Sequence, residues 1–287
     1  MERVVCVGLA TVDLVYRVDR LPGVDEKAQA TAFDVAAGGP AANAAVTAAA
    51  LGADVTLITA IGAHPLGALI RADLAACGVE VADVAPDATA PPPVSAVTVL
   101  EGTGERTIVS RNAGDVAAGV PEGLDRAVAA AGAVLVDGHH PALAVAAAQA
   151  AHRAGRPVVL DAGHWRPVFA ELLPLADVAA CSAAFRHPDG ADPLDLGSRH
   201  VVVTRGPRPV LWRSRDGRAG EVAVPVVAAA DTAGAGDAFH GALAVAVARD
   251  PAVADLPAAL RRAVAVAAVR VQHAGPRAWL RRLPGAG

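Results

Sequence analysis

Val222-Ala223-Val224-Pro225-Val226-Val227-Ala228-Ala229-Ala230-Asp231-Thr232-Ala233-Gly234-Ala235-Gly236-Asp237-Ala238-Phe239-His240-Gly241 is the most informative stretch of this 287-residue chain. An apolar, strand-like run reaches a carboxylate, then a glycine-spaced turn, then a second carboxylate that opens an alanine-rich helical run through Ala248. Gly234 and Gly236 allow a tight turn and leave backbone N–H groups uncovered by side chains. A helix beginning at Asp237 would aim those N–H groups and its positive dipole end at one point, which suits an anion. A carboxylate at an anion hole repels what the hole binds, unless its task is to take a proton from an attacking hydroxyl. Taken alone, Asp231 and Asp237 could equally be the cap and first-turn residues of an ordinary helix.

The rest of the chain narrows the choice. Its length suits one large α/β domain, or one domain with an appendage. It is 54% hydrophobic but only 3% aromatic, so the core must be built from Ala, Val and Leu. A net charge of −4 leaves no nucleic-acid footprint. Cys6, Cys77 and Cys181 are odd in number and widely spaced, which fits buried thiols in a reducing cytoplasm better than disulfides or zinc. Uncharged stretches such as Ala36 to Ala53 are broken by Gly38-Gly39-Pro40 and Asn43, so no membrane span is expected, and the N-terminus reads as a first strand. Of 25 basic residues only Lys27 is a lysine, kept for its compact point charge or surviving by chance on a solvated loop.

Val4 to Leu9 reads as a buried parallel strand with Asp13 just beyond it. Residues 14–37 read as two short strands or an irregular flap. Gly38-Gly39-Pro40 opens a helix to Leu51, Val55 to Ile61 is a strand, Pro65 to Ala76 a helix, and Ser95 to Ser110 a hairpin turning at Gly102-Thr103-Gly104. From Asp125 the pattern alternates: helix 125–131, strand 133–137, helix 141–154, strand 157–161, helix 167–175 and strands 177–181 and 200–204. A strand pair near 209–213 and 220–227 and helices 237–248 and 256–273 complete it. Such alternation predicts a parallel sheet covered on both faces, with ligands beyond the carboxyl ends of the strands. Asp13, Asp137, Asp161, Thr204 and Asp231 are expected at that rim.

The motif Asp231-Thr-x-Gly234-Ala235-Gly236-Asp237-x-Phe239 resembles the C-terminal signature of the ribokinase-like (PfkB) carbohydrate kinases. Gly38-Gly39-Pro40-Ala41-Ala42-Asn43 resembles their N-terminal signature, and Thr204-Arg205-Gly206 their nucleotide-binding strand and loop. The resemblance covers nearly the whole chain. It implies a single domain over 1–287 with a ribokinase-like three-layer α/β/α fold, a mainly parallel sheet and a small β lid from about 14–37 and 93–115. In relatives that lid closes over the sugar and sometimes forms a dimer clasp, so a homodimer is expected. The implied partners are a small-molecule sugar and ATP, with neither nucleic acid nor membrane.

By the same resemblance Asp237 is the base for a primary sugar hydroxyl, and N–H groups at Ala235, Gly236 and Asp237 stabilise the transferring γ-phosphoryl group. Asp13, Gly38, Gly39 and Asn43 would contact the sugar; Thr204, Arg205, Gly206 and Asp231 would face the nucleotide. Many relatives carry Asn-x-x-Glu where this chain has Ser182 and Phe185. Ser182 is kept as a nucleotide contact and no metal ligand is assigned, although Mg²⁺ should accompany ATP through phosphates and waters. Asp231 could also support a monovalent cation, as in some relatives. The chain start and the Ser182 region look closest to the ketohexokinase and sulfofructose kinase branch, where a lid lysine binds a sulfonate. This suggests Lys27 and Arg111 as a cationic pair, with His139 nearby and His139 or His140 as alternative hydroxyl contacts. A nucleoside kinase and a non-catalytic sugar-binding regulator are the competing readings; no Gly-x-Gly-x-x-Gly follows the first strand to support a Rossmann oxidoreductase.

Overall fold

The computed structural model describes residues 2–111 and 118–283. The first strand, β1 (Arg3–Val7), lies inside a nine-stranded sheet. In chain order the elements that follow are β2 (Thr11–Val18), β3 (Ala32–Gly38), α1 (Pro40–Ala50), β4 (Asp54–Thr59), α2 (Pro65–Ala76) and β5 (Val79–Asp83). Next come β6 (Val94–Leu100), β7 (Arg106–Ser110), α3 (Leu124–Ala129), β8 (Ala133–Val136), α4 (Pro141–Arg153), β9 (Val158–Ala162), α5 (Phe169–Leu172) and β10 (Val178–Ser182). The chain closes with β11 (His200–Arg205), β12 (Arg208–Ser214), β13 (Ala219–Val222), α6 (Ala235–Arg249) and α7 (Leu256–Val271).

The large sheet runs β13-β12-β11-β10-β9-β8-β1-β4-β5. The seven strands from β11 to β5 are parallel, while β12 and β13 add an antiparallel edge. Alternate side chains of each strand enter opposite layers. Val4 and Cys6 join Val55, Leu135 and Val178 under α1, α2, α6 and α7. Val5 and Val7 join Val134, Leu160 and Val201 under α3, α4 and α5. Both layers rely on small residues, so helices lie close to the sheet and to each other. In α6, a Cβ on Gly241 would stand 2.3 Å from the Ala44 carbonyl oxygen of α1. That missing methyl lets the two helices touch backbone to backbone.

A second sheet, ordered β3-β2-β6-β7, covers the carboxyl-terminal edge of the first. It is drawn from both segments assigned to the lid, and of the 93–115 assignment residues 112–115 lie outside the described residues. Asp13 belongs to β2 of this sheet and does not sit at the end of β1, which corrects its expected position. Its inner face buries Val15, Val97 and Val99. The opposite side exposes Phe33, Val35 and Val109, with Tyr16 stacked on Phe33 at 4.7 Å.

Other boundaries moved for local reasons. Pro174 breaks the expected helix 167–175 into α5 and a 3₁₀ turn at Leu173–Leu175. Strand β5, with only Val79 fully buried, carries too weak a pattern to stand out. β13 ends at Val222, before Pro225, and residues 223–234 run as a loop. No helix among the described residues is long and apolar enough to cross a membrane.

A Gly241→Val substitution should force α1 and α6 apart at a cost of about 1–3 kcal/mol. A urea titration reads this as a lower midpoint at unchanged slope, and kcat should fall with it because each helix carries part of the site described next.

Candidate active site

A cavity of about 500 Å³ lies between the two sheets. Its floor includes Asn43, Asp161, Gly234, Gly236 and Asp237, and its roof includes Asp13, Ser95 and Arg106 of the small sheet. Helix α6 starts at Ala235, two residues earlier than expected, so Asp237 sits in the first turn. Gly234 precedes it in the left-handed region at φ 68°, a conformation costly for any residue with a Cβ. First-turn amides have no helical acceptor, and Gly236 has no atom within 4 Å of where a Cβ would stand. The Ala235 N–H reaches back to the Thr232 carbonyl at 3.4 Å, and the turn opens the Gly236 and Asp237 N–H groups toward the cavity.

Asp237 receives one hydrogen bond, from Asn43 Nδ2 on α1 at 2.8 Å. Arg277, which follows α7, donates to Asn43 Oδ1 at 3.4 Å and to the Ala37 carbonyl at 2.5 Å, while pairing with Asp73 at 2.7 Å. The guanidinium thus selects the amide orientation of Asn43. Burial raises the Asp237 pKa to about 6, reinforced by the nearby charge of Asp161 and only partly opposed by Asn43. Asp161 in turn lies 3.0 Å from His240 Nδ1; burial opposes charge on that imidazole, but Asp161 outweighs it and raises its pKa. Burial also raises the pKa of Asp13, against hydrogen bonds from the Thr11 and Ser95 hydroxyls.

Asp231 is differently placed. It is 1% exposed, and its Oδ2 accepts from Arg17 (2.8 Å), Arg270 (3.3 Å) and the Gly275 N–H (3.3 Å), while Oδ1 accepts from the Ala233 N–H at 2.9 Å. Arg17 comes from β2, so this carboxylate ties the small sheet to the turn that opens α6. Arg106 of β7 adds a second tie to Thr232 Oγ1 at 2.9 Å, and that hydroxyl donates to the Gly104 carbonyl at 3.2 Å.

Asp137, at the end of β8, accepts from the N–H groups of Leu9, Ala41 and His139 at 2.9, 3.1 and 2.9 Å. Burial would raise its pKa, but His139 beside it and these donors outweigh that and hold it at about 2. It fixes the corner at Gly39, where φ is 94° and a Cβ would meet the Leu9 carbonyl oxygen at 2.4 Å. Beside Gly39, a Cβ on Gly38 would meet the Asp13 carboxylate at 2.0 Å, so the glycine pair makes room for both walls of the cavity.

Of the residues singled out from sequence, Asp13, Gly39, Asn43, His139, Asp231, Gly234, Gly236 and Asp237 converge on this cavity. Thr204 and Ser182 are partners in register on adjacent strands, at the same sheet edge but outside the cavity lining. Arg205 gives Nε and Nη2 to the Pro209 carbonyl at 2.8 and 2.6 Å, bracing the turn at Gly206. Ser182 donates to the Gly163 carbonyl at 2.6 Å and accepts from Ala184 N–H. Phe185 is packed against Trp165 and Phe169, so this segment offers an aromatic cluster where Asn-x-x-Glu would offer a carboxylate. Lys27 is exposed between β2 and β3, Arg111 is exposed beyond β7, and neither lines the cavity. Sequence reasoning missed Arg17, Arg106, Arg166, Arg270 and Arg277 as cavity or anchoring residues, because none sits in a local motif.

A helix N-terminus with free amides, a carboxylate of raised pKa in its first turn and a cavity roofed by the small sheet together suit a phosphotransferase of the α/β class. The chain matches the pfkB family carbohydrate kinases over residues 1–281 and belongs to that family. It is 27% identical to the ribokinase of Bacillus subtilis (strain 168), spanning 94% of this chain and 93% of that one. It is 32% identical over 258 residues to the ATP-dependent ribose-1-phosphate kinase of Halopiger xanaduensis, spanning 83% and 82% of the two chains. Its structure aligns with Arabidopsis thaliana ribokinase complexed with ribose and ATP at a TM-score of 0.80, with 26% identity over 96% of this chain and 93% of that one. These relatives are kinases of ribose and its derivatives, which corrects the expected placement beside ketohexokinases and sulfofructose kinases.

Replacing Asp231 by Ala should leave two buried guanidiniums without their partner and cost about 3–5 kcal/mol. Chemical denaturation checks this, and a loss under about 1 kcal/mol would show that the cluster does not anchor the two sheets.

Proposed function

We propose that this protein transfers the γ-phosphoryl group of ATP to a primary hydroxyl of a five-carbon sugar. The observation that carries the proposal is the Asn43–Asp237 pair beside the Gly234–Gly236 turn. The hydroxyl oxygen attacks the γ-phosphorus and forms the new O–P bond as its proton passes to the Asp237 carboxylate. The bond from the γ-phosphorus to the β–γ bridging oxygen breaks, and ADP leaves with that electron pair. Amides of Ala235, Gly236 and Asp237 meet the charge on the phosphoryl oxygens. Asp13, the Gly38-Gly39 backbone and Asn43 hold the sugar hydroxyls, while the edge at Ser182, Thr204, Arg205 and Gly206 faces the nucleotide.

Mg²⁺ enters as part of the nucleotide substrate, bound to phosphate oxygens and water; no cluster of three or more candidate ligands occurs among the described residues. A monovalent cation at Asp231 does not fit a carboxylate already shared by two guanidiniums and two amides, and no step depends on one. The pentose assignment draws on the names of the relatives and on the cavity volume. A nucleoside would need a flat apolar wall; of the aromatic residues Phe169 and Trp279 line the cavity, but Phe169 packs against Trp165 and Phe185 and the Arg270 guanidinium lies over the Trp279 ring. The reaction is proposed for the cytoplasm, where ATP is abundant. The exposed Phe33, Val35 and Val109 face supports a homodimer built lid to lid. Val109→Asp should then shift the mass measured by light scattering from dimer to monomer.

The base assignment makes a paired prediction. Activity should require ionised Asp237, so kcat/KM rises with pH through about 6 and levels above it. An Asp237→Asn variant should lose about 10²–10⁴-fold in kcat. The folded Asp237 carboxyl binds its proton more tightly than the unfolded one, so its contribution to stability is lost as pH rises through about 6. The same variant should therefore melt higher than the parent at pH 8. Full ATP turnover by Asp237→Asn would remove Asp237 from the mechanism.

A further inference from the structure

The arginines lining the cavity fall into two groups. Arg270 is held by Asp231, and Arg277 by Asp73, at 3.3 and 2.7 Å. Arg106 and Arg166 have no carboxylate partner among the described residues. Arg106 reaches Thr232, two residues from Gly234, so it stands at the phosphoryl-transfer end. Arg166, from the loop after β9, reaches His139 Nε2 at 2.6 Å. His139 follows Asp137, the residue whose carboxylate fixes the Gly39 corner, so Arg166 stands on the sugar side.

The attachment of Arg166 is built in a definite order. The Asp137 carboxylate lies 3.3 Å from His139 Nδ1 and accepts the His139 N–H at 2.9 Å. With Nδ1–H facing that carboxylate, Nε2 carries the lone pair that accepts from Arg166 Nη2. One of five guanidinium N–H groups is used in this way, and the planar fork is left oriented for a second, bidentate partner. The supporting imidazole is only 10% exposed, so the guanidinium cannot simply swing to water without losing its acceptor. Asp137 stands behind the imidazole and makes no direct ion pair with Arg166, so the remaining guanidinium N–H groups are not taken by a carboxylate among the described residues.

A half-buried guanidinium on the sugar side, with no direct carboxylate partner among the described residues and separate from the one at the transfer end, suits an anion on the sugar itself. Resting on the kinase reading above, we propose that the preferred acceptor is a pentose derivative bearing a phosphate or carboxylate away from its reacting hydroxyl. Arg166 reads that anion, and Asp137 and His139 are its positioning residues. The cationic role expected of Lys27 and Arg111 passes to a residue inside the cavity.

The test measures ADP release by the full chain with MgATP on ribose, ribose 1-phosphate and ribonate. Ribose 5-phosphate, whose primary hydroxyl is already esterified, serves as a control without turnover. Expected is a kcat/KM for ribose 1-phosphate or ribonate about 100-fold above that for ribose, the two anionic arms separating phosphate from carboxylate recognition. Arg166→Met should lose about 100-fold on the favoured anionic sugar and less than about 3-fold on ribose, with Arg166→Lys in between. Ribose used as well as either anionic sugar would overturn the anion reading and leave the kinase reading standing, as would an equal loss on both substrates in Arg166→Met. No turnover of any of the three sugars would overturn the kinase reading, and this one with it. If Arg166→Met does not fold, the parent enzyme's preference decides alone.

Discussion

The hydrogen bond from Asn43 to Asp237 exists only because α1 and α6 lie in backbone contact. Everything chemical in this molecule depends on that contact. Asn43 is three residues into α1 and Asp237 in the first turn of α6, so both side chains project where the two helix starts converge. Gly241, one turn further along α6, sets the spacing by meeting the Ala44 carbonyl with no side chain between. A bulkier core would hold the helices at the usual 8–10 Å. The alanine-rich composition, which reads as mere bias in the sequence, is what places the Asn43 amide against the Asp237 carboxylate.

The second dependency runs from the small sheet to the catalytic turn. Asp231 gathers Arg17 from β2, Arg270 from α7 and amides from two loops around one buried carboxylate. Burying such a cluster brings little net stability over an apolar core, but breaking it is costly. It therefore acts more as a register device than as a glue: β2 can sit in one place only while Asp231 keeps its partners. Arg106 and Thr232 repeat the tie from β7. A kinase must keep water from the transferring phosphoryl group, and a roof bonded to the catalytic turn itself brings closure and chemistry into one rigid unit.

The sequence was legible where a residue's role follows from its neighbours in the chain. Parallel strands announced themselves as uninterrupted Val, Leu and Ala runs, and Gly38-Gly39-Pro40 and Gly234-Ala235-Gly236 announced turns that open helices. Asp13, Asn43 and Asp237 were found because they stand in or beside such motifs. The arginines were not found, since Arg17 lies in an alternating strand and Arg277 in an irregular tail, and only the tertiary fold brings them beneath Asp231 and Asn43. Lys27 drew attention by its rarity in the composition, which says nothing of where a loop points, and the structure leaves it exposed outside the cavity lining. Asp13 was assigned to the end of β1 because Gly8–Ala10 gives no sign that the next strand begins a different sheet.

Four of the five aspartates lining the cavity show how one protein places carboxylates in different surroundings. Asp137 accepts from three amides beside a histidine and is held near pKa 2, which makes it a permanent charge and a brace. Asp231 shares its oxygens among two guanidiniums and two amides and has no lone pair well placed for a proton in transit. Asp13 has only hydroxyl donors and Asp237 a single amide donor, and these two are the ones whose pKa burial raises. The number and charge of the donors thus sort the carboxylates. All four line the cavity, but those surrounded by cations and amides hold the architecture, and those with fewer donors are the ones whose pKa is raised. A base must be able to gain a proton as well as lose one, and Asp237, with its pKa raised to about 6 and a hydrogen bond from Asn43 beside the helix N-terminus, has the properties that the proposed base needs.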